Sequence, residues 1–302
     1  MSTLGQMFGA RQGATFMGLP EWDGSTVPAV LLGADGCTPY PSVGNYCAGG
    51  PAAIRAASAP FDATKHNFDL GAPAFGDRLP ADAGDFPIRE DDPEGNRTLI
   101  LDKVTEILAA GAIPVLLGGD DSLPIPMLQA LEPHGPLTIL QVDAHIDWRE
   151  EVEGTRWGLS STMRRASEMP HVERIIQVGQ RGIGSARPSD VRDALDWGVR
   201  FVPASDPDLV QTALSHIPEG ARVAVCFDCD ALDPAIMPAV IGRTAGGLTY
   251  AQALALLRGT QAKARIAALD LVEFMPARDV DGLGAMTAAQ LLCAALGLLS
   301  RP

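Results

Sequence analysis

Aspartate, histidine and aspartate alternate with other residues in the run D-A-H-I-D, Asp143 to Asp147. In an extended chain residues i, i+2 and i+4 point to one side, so Asp143, His145 and Asp147 would present two carboxylates and an imidazole together. A second run, V-A-V-C-F-D-C-D from Val223 to Asp230, ends in Asp228 and Asp230, again two apart. Both sets of acids stand at the end of an apolar stretch suited to a buried strand, which for the first is Leu137 to Val142. Carboxylates gathered there without balancing Lys or Arg are costly unless a cation fills the space between them. The chemistry to which these residues point is that of a divalent metal site.

The elements that must position them follow from the spacing of apolar runs. Strands are predicted at Val27 to Gly33, His66 to Leu70, Ile113 to Leu117, from Leu137, and at Ile175 to Gly179, Arg200 to Pro203, Arg222 to Phe227 and Ile266 to Val272. Helical stretches alternate with most of them: Pro51 to Ala59, Thr98 to Ala110, Ile125 to Leu131, Ser161 to Met169, Ser189 to Trp197, Leu209 to Ile217, Tyr250 to Gln261 and Thr287 to Leu299. About eight strands alternating with helices predict an α/β fold, a parallel sheet with helices on both faces. Residues 1–20 read as an N-terminal arm and 21–302 as a single domain, with the Pro-, Gly- and acid-rich stretch from Ala72 to Asn96 as a surface excursion. On this scaffold Asp120 and Asp121 follow one strand, Asp143, His145 and Asp147 end another, Asp228 and Asp230 a third, and Glu273 follows a fourth. Parallel sheets bind ligands just beyond their C-terminal strand ends, so four separate segments converge on one crevice.

Composition narrows the partners. A net charge of -14 argues against nucleic acid and anionic membrane surfaces; it would welcome a small cationic ligand, but an acidic surface that merely keeps the chain dispersed is the simpler account of it. The start of the chain lacks a charged segment followed by an apolar one, and no run approaches the length of a membrane span, so the expected location is cytoplasmic. Five scattered cysteines suit reduced thiols, and Cys226 and Cys229 read as core packing facing opposite sides of a strand.

G-G-D-D-S (Gly118 to Ser122), D-A-H-I-D, F-D-C-D-A-L-D-P (Phe227 to Pro234) and L-D-L-V-E-F-M-P (Leu269 to Pro276), in that order and at those strand ends, resemble the ureohydrolase superfamily of arginases and agmatinases. The resemblance implies a three-layer α/β/α sandwich with an eight-stranded parallel sheet. It implies two divalent ions, usually manganese with nickel, magnesium or zinc as alternatives, bridged by a hydroxide that attacks a guanidinium carbon and releases urea. Carried over by position, one ion would be held by Asp121, Asp143, Asp147 and Asp228, the other by Asp143, His145, Asp228 and Asp230. Asp147 would align the hydroxide, and Glu273 would hold the guanidinium through paired hydrogen bonds. The segment Gln180 to Gly184 resembles the agmatinase-like group and offers no acid for an α-ammonium group, so arginine is disfavoured as substrate. A homo-oligomer, trimer or hexamer, is also implied.

The chain departs from the family pattern at three places. Asp121 stands where relatives carry a histidine ligand, which adds negative charge to the site. Trp157 stands where many carry a proton-shuttling histidine; it could stack a substrate guanidinium by cation–π attraction or merely pack against the rim. The loop Pro238 to Gly247 carries Arg243, which could bind a substrate carboxylate or pair with a neighbouring acid. His66, His134, His171 and His216 offer no evident substitute for the missing shuttle. Glu150, Glu151 and Glu153 could draw in a cation or simply be solvated. The favoured reading is a metal-dependent amidinohydrolase acting on a linear guanidino compound. The alternatives are a catalytically degenerate subunit, possibly in a hetero-oligomer with an active homologue, and a hydrolase of amidine or formimino C–N bonds.

Overall fold

The computed structural model describes residues 15–301. Its centre is an eight-stranded sheet ordered β4-β1-β5-β10-β9-β6-β7-β8. The strands are β1 (Ala29–Ala34), β4 (Ala81–Phe86), β5 (Ile113–Leu117), β6 (Leu137–Val142), β7 (Val172–Val178), β8 (Arg200–Val202), β9 (Arg222–Asp228) and β10 (Arg265–Val272). Every pairing is parallel. The central strands are near-continuous apolar runs because both faces of a parallel sheet are covered. On one face lie α1 (Gly50–Ser58), α6 (Leu209–His216), α7 (Tyr250–Lys263) and α8 (Leu283–Leu299); on the other lie α2 (Pro93–Ala109), α3 (Pro124–Ala130), α4 (Thr162–Ala166) and α5 (Pro188–Trp197). Alternate residues of each strand divide between the two layers. Cys226 and Cys229 are both buried, free and in opposite layers, as core packing requires, although Cys229 lies in the turn past the end of β9 rather than in the strand.

The α/β/α sandwich is as expected, but one strand is not where the sequence places it. His66–Asn67 (β2) pairs antiparallel with Ala72–Pro73 (β3) in a separate hairpin. The eighth strand of the sheet is A-D-A-G-D-F, Ala81 to Phe86, from the stretch read as a surface excursion. An edge strand needs little apolar surface, and β4 is held by charge instead. Buried Arg55 of α1 pairs with Asp82 at 2.8 Å and also with Asp85. Helix α2 begins at Pro93, five residues ahead of the predicted Thr98, with Asp92 capping the Gly95 N–H at 2.9 Å. Asp before Pro is a readable helix start.

Of the expected arm, residues 1–14 lie outside the described residues. Phe16, Met17 and Leu19 pack into the core, and the Phe16 N–H donates to Asp82 at 2.8 Å. Among the described residues no helix is long and apolar enough to cross a membrane.

Candidate metal centre

The four strands that carry the acidic motifs are neighbours in the sheet, β5-β10-β9-β6, although β10 comes last in the chain. Their register aligns Val142 with Phe227 and Val272 with Asp228, so their C-terminal ends finish at one level. Past those ends the backbone turns sharply. Asp147 and Glu273 adopt left-handed conformations, φ 42° and 66°, that non-glycine residues seldom occupy and that concentrate at functional sites. Gly118 and Gly119 are left-handed too; a Cβ on Gly118 would meet the Pro51 ring at 2.6 Å, which is why the β5 turn begins G-G.

Two sets of ligand atoms converge there. Asp143, His145 and Asp230 each offer one atom within 4.8 Å of the others, and so do Asp121, Asp143 and Asp228. Asp143 belongs to both. The sets match the expected pair of ion sites, less Asp147 in one and Asp228 in the other. Asp147 stands beside them, its Oδ2 accepting at 2.6 Å from Gln141 Nε2, which also donates to Asp143 Oδ2 at 2.7 Å.

Charge is distributed unevenly. Burial would lower the pKa of His145, but its Nδ1, 3.4 Å from Asp143 and 3.0 Å from Asp230, lets those carboxylates push it up to about 12. Burial likewise would raise Asp143, yet the hydrogen bonds from His145 and with Asp147 hold it below the ordinary value. Asp121, Asp147 and Asp228 go the other way: burial, then the neighbouring acids, raise them well above it. Asp121 Oδ2 is buried with no hydrogen-bond partner among the described residues. A buried carboxylate oxygen without a donor, facing other acids, is what a cation would satisfy, and carboxylates with one imidazole suit manganese or another hard or borderline ion. The residues present therefore fit a pair of divalent ions.

Glu273 is fixed on one side only. Its Oε1 accepts from the Tyr46 hydroxyl at 2.6 Å and from the Asp121 N–H at 2.8 Å, while Oε2 has no protein donor among the described residues. Burial raises its pKa to about 8 despite the Tyr46 bond. Trp157 already carries a cation: the Arg97 guanidinium lies 5.5 Å from its ring centroid, and the indole packs on the core. Of the two readings, the structure supports packing. Glu150 pairs with Arg156 at 2.8 Å and with Arg164 and Arg165 at 3.2 Å, so its charge is spent locally. Among the described residues Arg243 does not pair with an acid; it donates to the carbonyls of Pro238 and Arg278. His171 is buried on the Leu128 carbonyl, away from the acids.

Four contributors are not among the residues singled out in the sequence. Gln141 and Gln177 form a chain: Gln177 Nε2 donates to Gln141 Oε1 and to the Ile146 carbonyl, which turns the Gln141 amide so that its NH2 faces Asp143 and Asp147. A polar residue among apolar neighbours is the signal that could have found Gln141; Gln177 shares its strand with Glu173 and Arg174 and stands out less. Tyr46 sits in a loop without periodicity. Asp270, inside β10, is fully buried, accepts from the Phe227 N–H at 3.0 Å, and is raised to about 7 by burial.

The arginase-family model matches residues 40–297. The agmatinase of Gallus gallus is 34% identical over 252 residues, covering 80% of this chain and 73% of its own. The guanidinobutyrase of Pseudomonas aeruginosa is 32% identical over 264 residues, 83% of this chain and 82% of its own. The solved structure of proclavaminate amidino hydrolase from Streptomyces clavuligerus superposes with a TM-score of 0.85 at 27% identity, covering 96% of this chain and 98% of the other. Sequence and architecture agree over nearly the whole length, and the chain belongs to the arginase family.

Proposed function

We propose that the protein hydrolyses a linear guanidino compound other than arginine, releasing urea and an amine. One observation carries this reading: two ligand sets sharing Asp143 lie beside Glu273, a carboxylate anchored through one oxygen with the other left open. Asp143, His145 and Asp230 would hold one ion, and Asp121, Asp143 and Asp228 the other. When bound, divalent ions, manganese foremost, supply Lewis acidity that makes water a nucleophile near neutral pH.

The protein's own groups do the rest. Tyr46 and the Asp121 N–H fix the Glu273 carboxylate, whose Oε2 accepts from the guanidinium and orients its plane. Asp147, held by Gln141, aligns the attacking water, takes its proton at a carboxylate oxygen and returns it to the leaving nitrogen as the C–N bond breaks. Trp157 has no proton to shuttle. Exclusion of arginine is supported at the segment Gln180 to Gly184: it has no acid, and Arg181 is knotted into carbonyls, 2.6 Å from that of Asp230 and 2.9 Å from that of Thr244.

The test is urea release by manganese-loaded protein from a panel of guanidines, with metal content measured on the same sample. Urea from a non-arginine guanidine supports the reading. Absence of urea from every guanidine, with less than about one ion per chain, returns the protein to the degenerate-subunit alternative. Ammonia or formamide in place of urea identifies an amidine or formimino hydrolase.

A further inference from the structure

The loop Pro238 to Gly247 lies against the metal centre: a Cβ on Gly242 would sit 3.8 Å from His145 Cε1. It is laced to the segment that follows Glu273. The Met275 N–H donates to the Ala239 carbonyl at 2.7 Å, and Arg278 Nη1 donates to the carbonyls of Ile241 at 2.6 Å and Val240 at 3.3 Å. Arg243 returns the connection, Nε to the Pro238 carbonyl at 2.6 Å and Nη2 to the Arg278 carbonyl at 3.0 Å. Both arginines are exposed, and every partner they have among the described residues is an uncharged carbonyl.

Among the described residues no carboxylate pairs directly with either arginine. Asp279 spends its oxygens on the N–H groups of Val280, Gly284 and Ala285, and Asp233 on those of Ala235, Gly246 and Gly247. Two guanidinium groups are thus fixed in place without a direct carboxylate partner, in a chain of net charge -14. Arg243 Nη1 and both Nε and Nη2 of Arg278 remain without a protein acceptor among the described residues. Planar N–H forks of this kind are suited to a carboxylate.

We infer that Arg243 and Arg278 form a carboxylate-binding subsite on the crevice rim, so that the substrate is a guanidino acid rather than a guanidino amine. The inference rests on the proposed amidinohydrolase reading and names its substrate class. One short segment then recognises both ends of a zwitterion: Glu273 takes the guanidinium and Arg278, five residues on, takes the carboxylate. A distal ammonium would instead face two cations, a repulsion that selects against it.

The experiment compares 4-guanidinobutyrate with agmatine, which differ in the charge of the distal group, on manganese-loaded protein. The expected result is a kcat/KM for the acid at least tenfold above that for the amine. In R243Q and in R243Q/R278Q the acid-to-amine ratio falls at least tenfold, chiefly through KM, while R243K keeps most of the preference. An amine preference in the unmodified protein overturns the inference. So does a ratio that the double variant leaves unmoved, or an R243K as impaired as R243Q, which would make the arginine only a loop tether. If no guanidine yields urea, the functional proposal fails and calorimetric binding of 4-guanidinobutyrate decides separately. Affinity at least tenfold weaker in the R243Q variant upholds the subsite; equal binding, or none in the unmodified protein, removes it.

Discussion

The two halves of the metal centre solve the same electrostatic problem in different ways. Around His145 the protein supplies its own counter-charge: the imidazole lies between Asp143 and Asp230, and Asp230 Oδ1 accepts from the Ala144 N–H at 3.1 Å. Around Asp121 it supplies none; three carboxylates meet, two of them raised well above their ordinary pKa, and one oxygen has no donor. The first half is coherent without an ion, whereas the second is completed by one. In the proposed metal site Asp121 would therefore do more than supply a ligand, because it would shift the cost of assembling that half from the polypeptide to the ion.

The comparison is most severely tested at the residue common to both halves. Asp143→Asn should abolish binding of both ions and lower urea release by roughly 10³-fold or more, the scale seen when a member of a catalytic unit is removed; elemental analysis showing an ion retained would break the shared-ligand arrangement. Asp121→Asn should separate the halves. Its metal content should fall from about two ions per chain to about one, while the metal-free protein gains roughly 1–3 kcal/mol of stability because a buried unpaired acid is gone. Denaturation in chelator giving the opposite sign would sink the contrast.

Gln141→Leu acts one layer out, freeing Asp143 and Asp147 from their common donor, and should weaken manganese affinity by roughly 10–100-fold. A titration in which the variant binds as tightly as the parent would mean the amide merely fills space. A pH series sharpens the comparison further. Asp270 and Glu273, raised to about 7 and about 8, bind protons more tightly folded than unfolded. Their contribution to stability is full below the unfolded pKa, near 4, and is lost as pH rises toward 8. Melting midpoints in chelator should fall across that window, and manganese should flatten the decline; parallel slopes with and without metal would contradict it. The smallest effect lies outside the centre, where Arg97→Gln removes the cation from Trp157 and should cost about 0.5–1 kcal/mol. A larger loss, or a change in KM, would return Trp157 to the substrate.

The parts of this molecule that were legible in its sequence are those where one physical requirement dominates. Buried parallel strands must be apolar and must end where their ligands begin, so β5, β6, β9 and β10 could be placed with Asp121, Asp143, His145, Asp228 and Asp230 at their ends. At β4 two requirements compete. Its outer side meets no full strand among the described residues, just the isolated Glu21–Asp82 bridge, so the apolar pattern vanishes and the Arg55–Asp82 pair, 27 residues apart, does the holding. Nothing local announces such a pair. The same holds for Tyr46 on Glu273 and for Arg243 on backbone carbonyls, since both depend on where a distant loop comes to rest. Trp157 could be read as significant but not as occupied, because it lies in a loop and its partner Arg97 on the distant helix α2.

The position of β10 between β5 and β9 has a consequence in time. As the chain leaves the ribosome, β4, β1 and β5 can pair as one half-sheet and β9, β6, β7 and β8 as another, but the two stay unjoined until Arg265–Val272 emerges. Asp143, His145 and Asp230 all belong to the second half-sheet and can meet before that moment. Asp121 cannot, and the Glu273 that it steadies is 152 residues further along. The two halves of the centre thus have different birthdays: the self-compensated one precedes the closing of the sheet, and the one that calls for a metal is finished by it.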